Sequence, residues 1–214
     1  MADAEINPII RGAKVYLRPF ENSDKEAYKR WRADADPMAT AEFGYRAPLS
    51  DAEVDAYFGD RPAQQGKGIY QFIICTLDDE KPIGNVTLFD IDLRRGGAEL
   101  GIVIGEADHR GKGFGTDACN AVVDFSFGEL RLERVYLATR VDNPSGQAAY
   151  EKCGFKKEGI LRHGVYARGK FIDVVAMSIL LDDWQKLKRK RSWDYSKADW
   201  PKSRAKGTGF RKDS

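Results

Sequence analysis

The chain has 214 residues, of which 42% are apolar and 32% charged, and a formal net charge of +2, which fits one well-packed globular domain and leaves little room for two. No run of about 18 apolar residues occurs and the N-terminal residues lack the pattern of a secretory signal, so we expect no membrane span and, by default, a cytoplasmic protein. The cysteines are odd in number and far apart, and the two histidines are not spaced as metal ligands, which argues against disulfides and a metal site.

The first part of the chain predicts a short strand followed by two helices. Residues 14–18 have the composition of a strand, and Asp24 is placed to cap a helix that runs to about residue 34. Residues 35–49 contain two prolines and a glycine and are predicted to form a loop. Ser50 and Glu53 then have the spacing of a capping box, which predicts a second helix.

The middle of the chain changes to a β pattern and then alternates strand and helix. Residues 69–76 and 82–91 are β-rich and are separated by turn residues, which predicts a hairpin. Residues 97–105 are apolar enough for a central strand, and residues 113–129 have apolar positions at a helical period. A strand at 134–140 follows. A strand, a helix and a strand in succession predict one parallel pair within a mixed α/β sheet.

A short helix and two strands complete the predicted domain. Asn143 and Pro144 suit the N-cap and first position of a helix, and Gly154 suits its end. Residues 155–166 and 170–181 are predicted to be the last two strands.

A glycine-rich segment between the strand at 97–105 and the next helix has the composition of an anion-binding loop. It consists of Arg110, Gly111, Lys112, Gly113, Phe114 and Gly115. Glycines at such a junction let successive backbone N–H groups turn toward one anion, in front of the positive end of the helix. The spacing is GxGxG, whereas a dinucleotide fold has GxGxxG and a P-loop has GK before Ser or Thr. The segment predicts a pyrophosphate site of another class, with a purely geometric turn as the alternative.

Other motifs surround this loop in a fixed order. An Asn-initiated helix ends in a Tyr-Glu-Lys-x-Gly-Phe pattern, formed by Asn143, Tyr150, Glu151, Lys152, Gly154 and Phe155. Leu17-Arg18-Pro19 and Glu99-Leu100-Gly101 precede it, and Arg110, Gly113 and Gly115 fit an Arg/Gln-x-x-Gly-x-Gly/Ala loop. With these motifs, residues 14–185 resemble the GCN5-related N-acetyltransferases (GNAT), in their RimJ/RimL-like and polyamine-acetyltransferase-like branch.

The resemblance implies a fold and a cofactor. The implied GNAT fold is α/β, with a mixed, mostly antiparallel sheet that is splayed at its centre and flanked by helices. The implied cofactor is acetyl-CoA, whose pantetheine arm enters between the strands at 99–105 and 134–140. The implied cofactor-binding residues are Val103, Ile104, Arg110, Gly111, Lys112, Gly113, Phe114, Gly115, Thr116 and Asn143.

The implied reaction is acyl transfer to a neutral amine. Tyr150 matches the family's general acid, and tyrosine titrates at about 10 against about 8.5 for a thiol, close enough for proton transfer to the leaving thiolate. Glu99 is the candidate base, directly or through water, with binding of the substrate ammonium as an equal alternative. The amine is expected to approach over the loop between the first two helices, where Glu42, Phe43 and Tyr45 are candidate substrate contacts. A protein N-terminus, a polyamine and an aminoglycoside-like antibiotic all remain open as acceptors.

The C-terminal residues differ in charge from the rest of the chain. Residues 186–214 contain 11 basic and 3 acidic residues, whereas residues 1–185 contain 24 basic and 30 acidic residues. We therefore predict an acetyltransferase domain at 1–185 and a basic, aromatic extension at 186–214. The acidic body suits a cationic amine. The extension leaves two alternatives, a nucleic-acid or ribosome-binding module on the same fold, or a homodimer in which the extension wraps the second subunit.

Overall fold

The computed structural model describes residues 10–33, 50–64, 66–167, 169–196 and 201, with the side chains of 61–64 excepted. The described strands form one sheet in the order β1-β2-β3-β4-β5-β6-β8-β7. Their bounds are β1 Ile10–Arg11, β2 Val15–Arg18, β3 Tyr70–Thr76, β4 Pro82–Asp92, β5 Gly97–Ile104, β6 Arg134–Arg140, β7 Lys156–Ala167 and β8 Lys170–Leu180. All neighbouring strands are antiparallel except β5 and β6, which confirms the predicted mixed sheet.

Helices cover both faces of the sheet. Their bounds are α1 Lys25–Ala33, α2 Asp51–Gln64, α3 Phe114–Gly128, α4 Pro144–Lys152 and α5 Leu181–Lys186. Trp31 of α1 and Phe58 of α2 pack against one face, around Ile73 of β3. Val122 of α3 and Tyr150 of α4 belong to the larger core on the opposite face. The sheet therefore separates two layers of helices, and each side chain of a central strand faces one layer or the other.

The parallel strands β5 and β6 pair only at their beginnings. Gly97–Glu99 lie opposite Arg134–Tyr136, and no further pair between the two strands is recorded in the described chain. β5 nevertheless continues beside β4 to Ile104, and β6 continues beside β8 to Arg140. Since each strand stays paired on its outer side, the two diverge from each other, which confirms the predicted splay and leaves backbone groups facing a gap.

Helix α3 also binds the segment that leads into β2. The Asp117 carboxylate accepts hydrogen bonds from the backbone N–H groups of Ala13, Lys14 and Val15, at 2.9, 2.8 and 3.0 Å. Gly12 passes so close that a Cβ there would lie 2.3 Å from an Asp117 oxygen. The first turn of α3 is thus fixed by residues about 100 positions earlier in the chain.

The described part of the basic extension packs against the same helix. Asp124 of α3 is only 1% exposed and accepts hydrogen bonds from Trp184 Nε1 at 2.8 Å, from both Arg189 terminal nitrogens at 2.8 and 2.7 Å, and from the Ser192 N–H at 2.9 Å. Arg191 lies 3.7 Å from the same carboxylate. Arg189 and Arg191 therefore neutralise a buried carboxylate of their own chain. The predicted domain boundary at 185/186 stays a prediction.

Local capping follows the sequence at one helix and departs from it at another. Ser50 and Glu53 form the expected reciprocal capping box, with Ser50 N to Glu53 Oε2 at 2.8 Å and Glu53 N to Ser50 Oγ at 3.3 Å. Asp24 caps the start of the first helix, but from another position than predicted: a 3₁₀ turn at Asn22–Asp24 precedes α1, Glu21 is the N-cap, and Asp24 Oδ2 accepts the Glu21 N–H at 2.8 Å. The same carboxylate also binds the Arg18 guanidinium, at 2.6 and 2.7 Å. The predicted loop at 35–49 lies outside the described residues.

Candidate functional site

A cleft of about 540 Å³ lies between the end of β5, the glycine-rich loop, the first turns of α3 and one face of α4. It adjoins the gap that the divergence of β5 and β6 opens in the sheet. The predicted cofactor residues that line it are Val103, Ile104, Arg110, Gly111, Gly113, Gly115, Thr116 and Asn143. Lys112 and Phe114 do not line it, although the sequence placed them in the same set. Tyr150 does line it, so the cleft brings the predicted acid and the loop together.

The glycines of the loop differ in backbone conformation. Gly111 and Gly113 have φ values of +71° and +86°, a left-handed conformation that costs other residues about 1–2 kcal/mol. Gly113 is the N-cap of α3, and the N–H groups that follow have no partner within the helix. Gly115 has no positive φ, and a Cβ there would make an ordinary 3.5 Å contact with Ile104. The loop therefore presents backbone donors and the positive end of α3 to the cleft, which suits an anion.

Residues of the loop contact the end of β5 on one side and the segment that leads into β2 on the other. Arg110 Nε donates to the Ile104 carbonyl at 2.9 Å, and a terminal nitrogen donates to the Gly105 carbonyl at 2.6 Å. Arg110 thus ties the loop to the end of β5 while its charge stays at the cleft. The Lys112 carbonyl accepts a hydrogen bond from Lys14 Nζ at 2.9 Å. The Phe114 ring centroid lies 5.7 Å from the same ammonium, so Lys112 and Phe114 meet the segment that leads into β2.

Tyr150 is buried in the wall of the cleft. Its side chain is 7% exposed and its ring lies 5.9 Å from that of Phe155, centroid to centroid. Burial raises the pKa of Tyr150 well above the usual tyrosine range, and the thiols of Cys119 and Cys153 add to the effect. Among the described residues, none forms a hydrogen bond with its hydroxyl. The phenol therefore keeps its proton at neutral pH and has it free to donate to a bound group.

The cysteines are buried free thiols with no sign of nucleophilic activation. The Cys153 thiol donates to the Thr116 carbonyl at 3.4 Å, which joins the end of α4 to the first turn of α3. A hydrogen bond with Cys153 and burial raise the pKa of Cys119 well above the ordinary thiol range. Cys119 is thus a neutral packing group under Tyr150. Among the described residues, no cluster of His, Cys, Asp and Glu could hold a metal, and no helix is long and apolar enough to cross a membrane.

Asn143 serves as the N-cap of α4, as predicted, and also lies on the cleft. Its Oδ1 accepts the Gly146 N–H at 3.0 Å, and its Nδ2 donates to Thr139 Oγ1 at 3.3 Å. A Cβ on Gly146 would lie 2.4 Å from Nδ2, so glycine is needed for this cap. The cap fixes the start of α4, and therefore the face that carries Tyr150, relative to the end of β6.

Glu99 lies on the other side of the sheet from this cleft. Its neighbours Ala98 and Leu100 belong to the core beneath α3, so the alternation of a strand turns Glu99 toward the α1 and α2 layer. The side chain is partly buried. Burial raises the pKa of Glu99, and the nearby Asp90 carboxylate raises it further. Tyr136 lies opposite Glu99, and burial together with both carboxylates raises the pKa of its phenol. Glu99 and Asp90 together form an acidic site that suits a cationic group.

The predicted substrate contacts lie outside the described residues, and the cleft also contains residues that were not predicted. Glu42, Phe43 and Tyr45 lie outside the described residues, so their contact with substrate stays a prediction. The cleft residues that sequence reasoning missed are Ile102, His109, Cys119, Ser145, Gly146, Ala148, Ala149 and Lys152. Ser145, Ala148 and Lys152 recur at helical spacing along one face of α4, whereas periodicity measured from Tyr150 would have found only Gly146, four residues before it.

Comparison with known proteins matches this chain to acetyltransferases. The family model described as an acetyltransferase (GNAT) domain matches residues 14–156. The probable N-acetyltransferase YjcK of Bacillus subtilis is 31% identical over 190 residues, which cover 82% of this chain and 98% of that protein. The spermidine N(1)-acetyltransferase of Escherichia coli K12 is 32% identical over 168 residues, which cover 77% and 85% of the two chains.

Solved structures show the same architecture. A crystal structure of spermidine N-acetyltransferase from Vibrio cholerae, in complex with CoA and spermine, matches with a TM-score of 0.71 at 28% identity, over 80% of this chain and 98% of that one. Another structure of the Vibrio cholerae enzyme, described as dodecameric, matches with a TM-score of 0.67 at 27% identity, over 80% and 96%.

Proposed function

Because this chain belongs to the GNAT family of N-acetyltransferases, we propose that it moves the acetyl group of acetyl-CoA to a primary amine of a cationic, polyamine-like acceptor. The observation that carries the proposal is the cleft, which has an anion-binding loop at one end and the protonated Tyr150 in its wall. The residues present fit acetyl-CoA. A Cβ on Gly113 would strain the loop, and the inner edge of β5 is unpaired beyond Glu99. Acetyl-CoA supplies the thioester that an amine can attack directly.

In this proposal the acetyl donor binds in the cleft on one face of the sheet, and the amine acceptor binds on the face that carries Glu99. The N–H groups of the loop and the N-terminus of α3 would bind the pyrophosphate. The unpaired edge at Val103 and Ile104 would bind the pantetheine amides through the main chain. Tyr150 would give its proton to the leaving thiolate, and a backbone N–H of β5 can stabilise the negative oxygen that develops during acyl transfer. The gap between β5 and β6 would connect this cleft with the face that carries Glu99.

The acceptor side favours a positively charged amine. Glu99 and Asp90 place two carboxylates on the α1 and α2 face, and an ammonium attracted there must lose a proton before it attacks. Glu99 has a raised pKa, which makes it a better proton acceptor than an ordinary carboxylate. Relatives named spermidine acetyltransferases support a polyamine. A protein N-terminus and an aminoglycoside are the other acceptors to be compared.

The proposal is tested with the purified chain in two steps. Calorimetric titration with acetyl-CoA, and with ATP and NADH as controls, should show saturable binding of acetyl-CoA only. Release of the CoA thiol is then measured with spermidine, with a peptide that has a free N-terminus and with an aminoglycoside. We expect spermidine to give the highest kcat/KM. Absence of acetyl-CoA binding would refute the donor, whereas preference for the peptide would refute only the acceptor.

Glu99→Gln is expected to lower kcat/KM for the amine by about tenfold or more, because the base is lost. In the wild type, activity should fall as the pH drops and Glu99 becomes protonated, with a midpoint above the ordinary glutamate range. Asp90→Asn removes a neighbouring negative charge, so the same midpoint should move to lower pH. Asn tolerates the positive φ of 45° at this position. An acid limb that stays in place in Glu99→Gln would assign it to another group.

A matched pair of alanine substitutions separates backbone strain from ligand contact in the loop. Gly113→Ala is expected to weaken acetyl-CoA binding by about tenfold, because a left-handed alanine costs about 1–2 kcal/mol and shifts the loop. Gly115→Ala fits the free protein without strain, so any loss of binding there would report a ligand atom close to the helix. Calorimetry with acetyl-CoA measures both. Equal affinity of wild type and Gly113→Ala would exclude the loop from the binding site.

The basic extension bears on which partners the protein has. Arg189 and Arg191 pair with Asp124, which weighs against the nucleic-acid alternative for this part of the extension. Self-association is measured by light scattering on the full chain. A cytoplasmic location and a role for the basic extension at 186–214 remain predictions from the sequence.

A further inference from the structure

Lys14 makes a contact that the acyl-transfer chemistry described above does not use. Its ammonium donates to the Lys112 carbonyl at 2.9 Å, between residues that are 98 positions apart in the chain. The carbonyl belongs to the peptide unit that joins Lys112 to Gly113, in the middle of the anion-binding loop. Lys14 does not line the cleft, and neither does Lys112, whereas Gly113 does. The contact is therefore made outside the cleft, between two residues that do not line it.

The geometry of a peptide unit transmits this contact to the cleft. The described chain has no cis peptide bond, and in a trans unit the C=O and the following N–H point in opposite directions. Since the Lys112 carbonyl is directed toward Lys14, the Gly113 N–H is directed away from Lys14, and Gly113 itself lines the cleft. Glycines with positive φ stand at 111 and 113, on either side of Lys112. Because glycine permits several conformations, the backbone alone does not fix this plane.

Lys14 is held in place for this contact. Its own N–H and those of Ala13 and Val15 are bound by the Asp117 carboxylate, in the first turn of the helix that the loop begins. The ammonium also lies 5.7 Å from the Phe114 ring centroid, in cation–π contact. A Cβ on Gly113 would lie 3.4 Å from Nζ, so the lysine stands directly against the loop.

We propose that Lys14 is a positioning residue for the acyl donor: it orients the Lys112–Gly113 peptide unit so that the Gly113 N–H meets the pyrophosphate. The proposal rests on the proposed function, since it needs a pyrophosphate in this cleft. It concerns the phosphate end of the donor alone. Tyr150, Glu99 and the acceptor are not in contact with Lys14, so their contributions should not change.

Lys14→Met, which keeps the aliphatic stem and removes the ammonium, tests the proposal. Initial rates are measured with acetyl-CoA and with acetyl-pantetheine, which has the same thioester and no pyrophosphate. We expect KM for acetyl-CoA to rise about tenfold, with KM for acetyl-pantetheine, KM for the amine and kcat unchanged. Lys14→Arg keeps a donor and should recover most of the affinity. Lys67→Ala, at an exposed lysine outside the cleft, is the matched charge control.

The outcomes separate the explanations. An equal rise for acetyl-CoA and acetyl-pantetheine, or no rise for either, would overturn the positioning role. A rise in Lys67→Ala as large as in Lys14→Met would reduce the effect to net charge. If wild-type protein binds acetyl-CoA but uses acetyl-pantetheine equally well, the pyrophosphate site and Lys14 fail together while the acyl-transfer function stands. If Lys14→Met does not fold, KM of Lys14→Arg for each of the two donors is compared with that of the wild type. An equal change for acetyl-CoA and acetyl-pantetheine would then overturn the positioning role.

Discussion

Tyr150→Phe is expected to lower kcat by about a hundredfold or more, with little change in acetyl-CoA affinity or in the melting temperature. General acid catalysis contributes about this much, and phenylalanine has no proton to give to the leaving thiolate. The fold should tolerate the change, because the hydroxyl has no hydrogen-bond partner among the described residues and the ring keeps its place beside Phe155. The measurement is steady-state turnover at saturating amine and acetyl-CoA, together with calorimetric binding of acetyl-CoA.

The unperturbed fold is what makes this substitution informative. A fall in kcat with unchanged binding places the hydroxyl in the chemical step. Cys119→Ser, which alters a buried thiol of the same wall, is the control for general disturbance of the cleft. A Tyr150→Phe enzyme within twofold of wild type at pH 7 would remove the tyrosine from the mechanism. Since the pKa of Tyr150 is raised, wild-type activity should persist above the pH at which an ordinary tyrosine ionises.

Asp124→Ala is expected to lower the free energy of unfolding by about 3–5 kcal/mol, one of the largest effects of any substitution outside the cleft. Alanine would remove the acceptor for Trp184, Arg189 and the Ser192 N–H at once. Arg189 would then be a largely buried cation without a counterion, with 22% of its side chain exposed. Urea unfolding followed by tryptophan fluorescence measures the change, since Trp184 is a partner.

Two further variants show whether the contact itself is responsible. Asp182→Ala removes an exposed carboxylate close to the same region and should change the unfolding free energy by less than about 0.5 kcal/mol. Arg189→Met removes the cation together with its need for a partner, and in the Asp124→Ala background it should recover part of the loss. If Asp124→Ala is as stable as wild type, the packing of residues 187–196 on α3 contributes nothing to the fold.

The sequence predicted the strands, the helices and the anion-binding loop because these segments depend largely on neighbours in the chain. The apolar period of α3, the Ser50 capping box and the glycines at 111 and 113 each determine local geometry within a few residues. The position of Asp24 was predicted incorrectly because a 3₁₀ turn precedes α1 and moves the N-cap to Glu21, while the Asp24 carboxylate binds both the Glu21 N–H and Arg18.

Long-range contacts account for most of what sequence reasoning missed. Nothing in the local pattern connects Lys14 with Lys112, or Asp124 with Arg189, because each pair meets only when the sheet and α3 are packed. The face of Glu99 could be predicted, since alternation with the apolar Ala98 and Leu100 sets it. Its raised pKa could not, because that depends on the burial created by neighbouring strands and on Asp90.

The position of α3 between two distant segments has a consequence for the order in which the protein matures. Its carboxylates bind partners 104 residues earlier, at Ala13, and 65 residues later, at Arg189. During translation, the nascent chain exposes α3 well before Arg189 and Ser192 leave the exit tunnel, and until then Asp124 has no counterion. The first turn of α3, by contrast, binds the earlier segment through Asp117, so the loop before it does not have to wait for Arg189. The part of α3 around Asp124 should therefore reach its final stability last, after the body of the sheet has formed.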